Sequence, residues 1–422
     1  MSAVFLRLWL GQWISNLGTQ ISLFGLGLWL FKADGQLGSF ALVAVIVQLS
    51  RLAVMRLLVR RLERWPRRRV MLIANATGAA GTLGLTAVLT QSGGVVSPLA
   101  VVPFLALAAA AEAALVLSFS TLIPQLVPLR QRGEANGLFA TADGLAALVA
   151  PFLGALLVAW TGITGLVVLD SCTFLVALGC VVSGRWPGRA LRPLVNPVAA
   201  PLEDRASLRL SLTQLWQQPP LRMLLLLGAS LMLTFAGAEI LFPAWVLQLP
   251  AGRSVLAMAL GLSGLAYGGG LLLWRCVSAR PLLWPSVFRL GLTMQAVVLL
   301  GAGVPGITRY RELWFAGVAA FNLAVPLVLA SQQNLWQCWV PVAMQPRLFA
   351  ARYATDWTAR LVAVLAVGPL VDRALAPLVD VSTPGRAMAV CLSLLGLLLA
   401  LMLLLHMKGF GAGDEKLPPC AS

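Results

Sequence analysis

Charge is what this chain has least of. Among 422 residues only 11% are Asp, Glu, Lys or Arg, against about 25% in ordinary globular domains, and that scarcity excludes an ordinary soluble enzyme. Acids are rarer than bases, 15 against 31, which leaves a net charge of +16. Histidine occurs once, as His406 at the end of the last apolar run. One ring cannot supply the ligands of a His-based metal centre, and it leaves no Ser/His/Asp arrangement to assemble. No Gly-rich phosphate loop is present either, so neither metal, cofactor nor enzymatic chemistry is expected. The six cysteines (Cys172, Cys180, Cys276, Cys338, Cys391, Cys420) lack C-x-x-C spacing and fall mostly in apolar runs. They read as small packing residues rather than disulfides or ligands.

Hydrophobic residues make up 59% of the chain and mean hydropathy is +0.87. Uncharged runs of roughly 20 residues recur, the length that crosses about 30 Å of hydrocarbon. Twelve such spans are predicted, at 6–31, 39–59, 70–90, 99–124, 134–159, 164–183, 222–247, 254–275, 284–304, 311–334, 350–378 and 386–407. The runs are continuous and do not alternate with period two, so helices are the expected spanning form. The run from Leu6 to Phe31 is too long for a signal-peptide core and ends in no small-residue cleavage site, so it reads as the first span. The expectation is an all-α polytopic membrane protein. A six-helix bundle over 1–183 and another over 221–408 flank a cytoplasmic linker at 184–220, and a cytoplasmic tail follows at 409–422.

In a soluble protein a charge of +16 would suggest a nucleic-acid partner. Here the basic residues lie between the spans. With the N-terminus inside, the cytoplasmic loops and helix ends hold 22 of the 31, the outer ones six, and Arg51, Arg56 and Arg360 fall within spans. The positive-inside bias therefore predicts cytoplasmic termini and linker, the lipid bilayer as partner, and no nucleic acid. The densest patch, Arg60 to Arg69, reads either as an anchor against anionic lipid or as part of a gate.

The halves repeat. An offset of 213 carries the starts of spans two, three and four to the neighbourhood of the starts of spans eight, nine and ten. The best local match sets Val127-Pro128 through Asp143 against Val340-Pro341 through Asp356. Two parallel six-helix halves joined by a cytoplasmic linker form the repeat pattern of major facilitator transporters.

Local motifs carry the same likeness in chain order. They are Leu8 to Gln12 with Ser15 to Gln20, Arg132-Gly133-Glu134-Ala135-Asn136-Gly137-Leu138, Ala150-Pro151-Phe152-Leu153-Gly154, and Leu169-Asp170-Ser171-Cys172-Thr173-Phe174-Leu175. Later come Ser331 to Gln337, Arg347 to Arg352 and Gly368 to Arg373. Together they resemble the major facilitator branch that includes macrolide-efflux and enterobactin-export proteins. That resemblance implies proton-coupled efflux of a small amphipathic organic molecule by alternating access, in the inner membrane of a bacterium, by a monomer. It also implies that spans one, four, seven and ten line the central cavity, and that Pro151 and Gly154 belong to a motif linked to antiporters. The loop after span two departs from the family pattern, with Val59 in place of Gly and Glu63 in place of Asp, while Arg64 and Arg67-Arg68-Arg69 remain. Glu63, Arg64 and Arg68 are thus gating candidates, with Arg352 as the partner proposed for Glu63.

Ionisable groups inside spans cost at least about 2.5–3.5 kcal/mol on insertion scales, so each is a functional candidate. Glu112 in span four and Glu239 in span seven read equally as proton carriers or as neutral hydrogen-bonding acids. Asp143 and Asp356 are the repeat-related acids, and Asp356 has Arg360 one turn later as an i,i+4 partner. Arg51, one turn after Gln48, reads as a counter-ion for Glu112 or Asp143, as a clamp on an anionic substrate, or as an arginine snorkelling from a short span. Gln12, Asn16 and Gln20 share one face of span one, and Asn322, Gln332 and Gln333 mark span ten. These read as cavity lining or as interhelical glue. Trp9, Trp13, Trp160, Trp245, Trp284 and Trp339 lie near span ends and read as interfacial belt. Two other classes remain open beside the transporter: a transport-inactive relative serving as a partner subunit, and a polytopic membrane enzyme.

Overall fold

The computed structural model describes residues 3–34, 37–92, 98–184, 186–188, 208–249, 252–304, 310–378 and 385–411, and among them there is no strand. The helices are α1 (Ala3–Asp34), α2 (Leu37–Arg64), α3 (Arg67–Gln91), α4 (Pro98–Leu126), α5 (Leu129–Ser183), α6 (Leu208–Gln217), α7 (Pro219–Leu247), α8 (Gly252–Val277), α9 (Trp284–Ala302), α10 (Arg311–Trp339), α11 (Gln345–Pro369) and α12 (Arg386–Gly411). Nine stretches among the described residues, in α3–α5 and α7–α12, are long and apolar enough to cross a membrane. At 1.5 Å per residue, the 32 residues of α1 and the 28 of α2 have comparable reach. The helical outcome follows from the solvent, because backbone polar groups in hydrocarbon must be satisfied within the segment.

Prolines mark where helices start. Pro66 precedes α3 and Pro128 precedes α5, positions where a missing N–H costs nothing. α5 comprises two helical arms, predicted spans five and six, that meet at a kink at Gly162, whose φ of 68° and ψ of 179° are non-helical. Predicted span eleven is α11 followed by a π turn at Leu370–Leu375 and a 3-10 turn at Ala376–Leu378. The linker residues 189–207 and the tail from 412 lie outside the described residues.

The chain divides into two compact units, residues 1–214 with 340–354, and residues 215–339 with 355–422. In the first, α1 lies along α5, α3 packs on α4 and α5, and α2 on α4. Its core includes Ile21, Leu26, Val47, Leu85, Leu105 and Leu166. In the second, α8 and α9 pack on α10, and α12 packs on α7 and α9, around Leu241, Trp245, Leu299, Trp314, Ala363 and Leu392. Glycines permit the close approaches. A Cβ at Gly154 would stand 3.1 Å from the Ile21 carbonyl, so α5 meets α1 nearly backbone to backbone.

Two expectations are corrected here. Trp245 and Trp284 are 4% and 2% exposed and fill the protein interior, whereas Trp160 is exposed as a belt residue would be. Cys338 is disulfide-bonded, unlike Cys172, Cys180, Cys276 and Cys391, which are free.

Candidate functional site

The first unit brings an acid and a base together deep in the bundle. Arg51 of α2 donates from Nη2 to both carboxylate oxygens of Glu112 on α4, at 2.7 and 2.6 Å. The two side chains are 10% and 14% exposed. Gln48 Oε1 accepts from Arg51 at 3.5 Å, one helical turn away. Such a pair has exchanged hydration for mutual attraction. Removing one partner from a buried pair costs about 3–5 kcal/mol because the other charge is then stranded.

Glu112 also lines a cavity. Its polar wall is Gln12, Ser15, Asn16 and Thr19 of α1, and its aromatic wall is Trp9, Trp13, Phe119, Phe139 and Phe174. Trp9 and Trp13 stack with ring centroids 6.0 Å apart. Trp9 is held by its indole N–H, which donates to the Leu138 carbonyl at 2.9 Å. The Gln12 amide nitrogen and the Trp13 indole N–H are buried beside the cavity without a protein acceptor. The cavity therefore combines flat apolar surface with spare hydrogen-bond donors. Gln20, one turn further along α1, is half-buried and outside this lining.

A third acid belongs to this unit and was not among the predicted site residues. Asp170, 2% exposed, accepts from Thr19 Oγ1 and Thr173 Oγ1, each at 3.3 Å from Oδ1, and the Ser22 hydroxyl lies against it. Thr173 Oγ1 also donates to the Asp170 carbonyl at 2.7 Å. The signal was available, since an Asp inside an apolar span is costly wherever it sits.

The second unit holds its own pair. Arg360 Nη2 of α11 meets Glu239 Oε2 of α7 at 2.7 Å, which corrects the expected i,i+4 pairing of Arg360 with Asp356. Asp356 is 5% exposed and stands close to Gly228 of α7, where a Cβ would be 3.3 Å from its Oδ1. Gln332 and Gln333 of α10 are buried, Gln332 directly against Gly228. Asn322 donates to Ser263 Oγ of α8 at 3.0 Å and to the Val318 carbonyl at 2.9 Å, so it ties helices together.

The basic loop residues act largely as helix caps. Arg7 and Arg68 donate to the Ser183 and Val182 carbonyls at 3.0 and 3.4 Å, at the negative end of α5. Arg132 donates to the Pro124 carbonyl at 3.1 Å and the Val127 carbonyl at 3.4 Å, closing α4, and burial lowers its pKa from the ordinary arginine value. Arg69 stacks over Trp65 at 4.8 Å, Arg67 is 1% exposed, and Arg64 is exposed. Arg352 is buried and lies over the Tyr353 ring at 5.1 Å. The Glu63, Asp143 and Pro151 side chains lie outside the described residues, and with them the expected Glu63–Arg352 contact.

A chain of membrane-length helices with a charged pair buried between two of them, on the wall of a cavity, is a multi-pass membrane protein that carries polar groups inside the bilayer. Residues 8–354 match the Major Facilitator Superfamily, and the chain belongs to that family. Its class is accordingly a transporter fold and not an enzyme. No curated protein sequence matches the chain. Among solved structures it is similar to a bacterial homologue of the iron transporter ferroportin in its outward-facing state. That likeness has a TM-score of 0.76 at 18% identity, over 96% of this chain and 99% of that one. It is also similar to the human organic anion transporter MFSD10 (TETRAN), with a TM-score of 0.68 at 15% identity, over 96% and 98% of the two chains. At these identities the likeness establishes the fold.

Proposed function

We propose that this protein is a secondary active transporter that exports a small amphipathic organic molecule in exchange for protons, by alternating access of two six-helix halves. In this reading it has twelve spans, sits in the inner membrane of a bacterium with both termini cytoplasmic, and works as a monomer. The observation that carries the proposal is the buried Arg51–Glu112 pair on the wall of an aromatic cavity. A carboxylate in low dielectric is stable when paired and must take up a proton when its partner leaves. Rocking of the halves that opens the pair makes Glu112 a proton acceptor in one state and an Arg51-bound anion in the other. The stacked Trp9 and Trp13 supply a platform for an apolar cargo, and Gln12 and Asn16 supply donors for its polar edge. Glu239 with Arg360 is a second, more exposed ion pair, and Asp143 and Asp356 are reserve acids. Export as the direction, and the efflux branch, rest on the motif resemblance.

The test is flux in vesicles of purified protein loaded with a fluorescent amphipathic dye and given an imposed pH gradient. Dye should move uphill, and uphill movement should collapse with a protonophore. Glu112→Gln, which mimics the protonated acid, should keep downhill exchange and lose accumulation. Uphill transport of wild-type size in Glu112→Ala would refute the assignment of Glu112. A protein that folds and binds dye yet moves none would support the reading as a partner subunit.

A further inference from the structure

Asp170 is a buried carboxyl with only hydroxyl partners. Among the described residues no Lys or Arg pairs with it. Of the charged groups on the helices around it, Glu112 is the one that acts on it, and the Glu112 charge is already taken by Arg51. The faces that α1 and α3 turn toward it carry Thr19, Ser22 and Thr82, none of them charged. An ionised carboxylate in such surroundings needs a counter-charge, because an unpaired buried charge costs several kcal/mol.

The spacing of the oxygens suits a small cation. Both threonine hydroxyls stand 3.3 Å from Asp170 Oδ1, longer than the roughly 2.7–2.8 Å of a close O–H···O hydrogen bond. A hard cation of calcium's size holds oxygen ligands at about 2.3–2.6 Å, so two ligands at right angles on such an ion stand roughly 3.3–3.7 Å apart. The main chain is shaped for this approach. Gly18 of α1 faces the cluster, and a Cβ there would meet the Thr173 hydroxyl and lie 2.9 Å from Asp170 Oδ1. Thr19 lies between two cavities, lining both the aromatic one and a second one bordered by Asp170, Ser22 and Thr82.

We propose that Asp170, Thr19 and Thr173 form a binding site for one monovalent cation, a proton or a sodium ion, separate from the Arg51–Glu112 pair. Either occupant leaves the site neutral: a proton makes Asp170 an acid that donates to a threonine oxygen, and sodium bridges the carboxylate and the hydroxyls. The site does not depend on export. A carrier running in either direction, or one that has ceased to transport, would hold the ion equally well.

The experiment therefore reads ion binding at equilibrium on the purified full chain, without any flux. Thermal unfolding is followed in sodium chloride against choline chloride at equal ionic strength. In parallel, infrared difference spectra across a pH series in choline report protonated carboxyl groups. Ligands that bind only the folded state raise its apparent stability with concentration, so a sodium site gives a sodium-specific rise in Tm that Asp170→Asn abolishes. A proton site gives no sodium effect and a titrating carboxyl band that Asp170→Asn removes. Asp372→Asn, an exposed acid of the π turn, should leave either response in place. If Asp170→Asn fails to fold, Thr19→Val keeps the carboxyl and removes one oxygen. It should raise the sodium midpoint several-fold or move the midpoint of the carboxyl band. The proposal is overturned if wild type shows neither response, if Asp170→Asn retains them, or if Thr19→Val leaves both midpoints unchanged.

Discussion

The Arg51–Glu112 contact joins side chains 61 positions apart through two short charge-assisted bonds, and its energetics are asymmetric. Each charge is tolerable inside the bundle because of the other, so the single variants Arg51→Met and Glu112→Leu should each lose about 3–5 kcal/mol of stability. The double variant should recover most of that loss, since apolar residues of similar volume often replace a buried pair without cost. Thermal unfolding of all four proteins closes the cycle, and additive losses would show that the two residues act independently. The sequence made both residues conspicuous, because charges are rare in apolar runs, and it named Glu112 as one of two partners for Arg51. It could not choose between Glu112 and Asp143, since that choice depends on how α2 packs on α4. Arg360 shows the same limit from the other side. Its i,i+4 neighbour Asp356 was the nearer acid along the chain, yet Glu239 on α7 takes the guanidinium. Asp170 stands inside a motif, and its hydroxyl partners Thr19 and Thr173 come together only through the packing of α1 on α5.

At the scale of helices, the apolar runs announced nearly every element, because hydrocarbon demands continuous helices of a set length. What they did not announce is how closely neighbours approach, which glycines decide by lacking a side chain. Two of them separate the reasons for needing glycine. At Gly162 a Cβ would meet nothing within 4 Å, but φ is 68° and ψ is 179°, so Gly162→Ala should cost about 1–3 kcal/mol through backbone conformation alone. Gly18 is an ordinary helical residue with no room, and its Cβ would crowd Asp170 and Thr173. Overpacking there should cost about 1–3 kcal/mol and disturb the Asp170 cluster as well. Unfolding temperatures of Gly162→Ala and Gly18→Ala compare the losses. Infrared spectra of the carboxyl region separate them, with a change expected in Gly18→Ala and none in Gly162→Ala. Wild-type stability in Gly18→Ala would mean that α1 and the second arm of α5 have slack.

For the whole molecule, the same scarcity of charge that makes the interior hospitable to lipid leaves orientation to the basic residues at the helix ends. A net charge of +16 spread evenly would fix nothing. Its concentration on one set of loops gives the chain a preferred side, because Lys and Arg resist translocation near spans while Asp and Glu contribute little. In the proposed topology the cluster from Arg60 to Arg69 lies on that side, together with Arg7 and Arg132, and Arg7, Arg68 and Arg132 cap helix ends. Arginines at those positions thus serve topology and local stability together, and moving the cluster should affect both. A reporter enzyme active only in the cytoplasm and fused after residue 200 should be active, and one active only in the periplasm and inserted at Ser92–Gly94 should also be active. Replacing Arg60, Arg61, Arg64, Arg68 and Arg69 by Gln should weaken the bias near the first spans and yield a mixed population at Ser92–Gly94, with residue 200 less affected because Arg205, Arg209 and Arg222 hold the later segment. Opposite labelling of both sites in the unaltered chain would reverse the assigned sidedness, and with it the direction of proton movement proposed for Glu112.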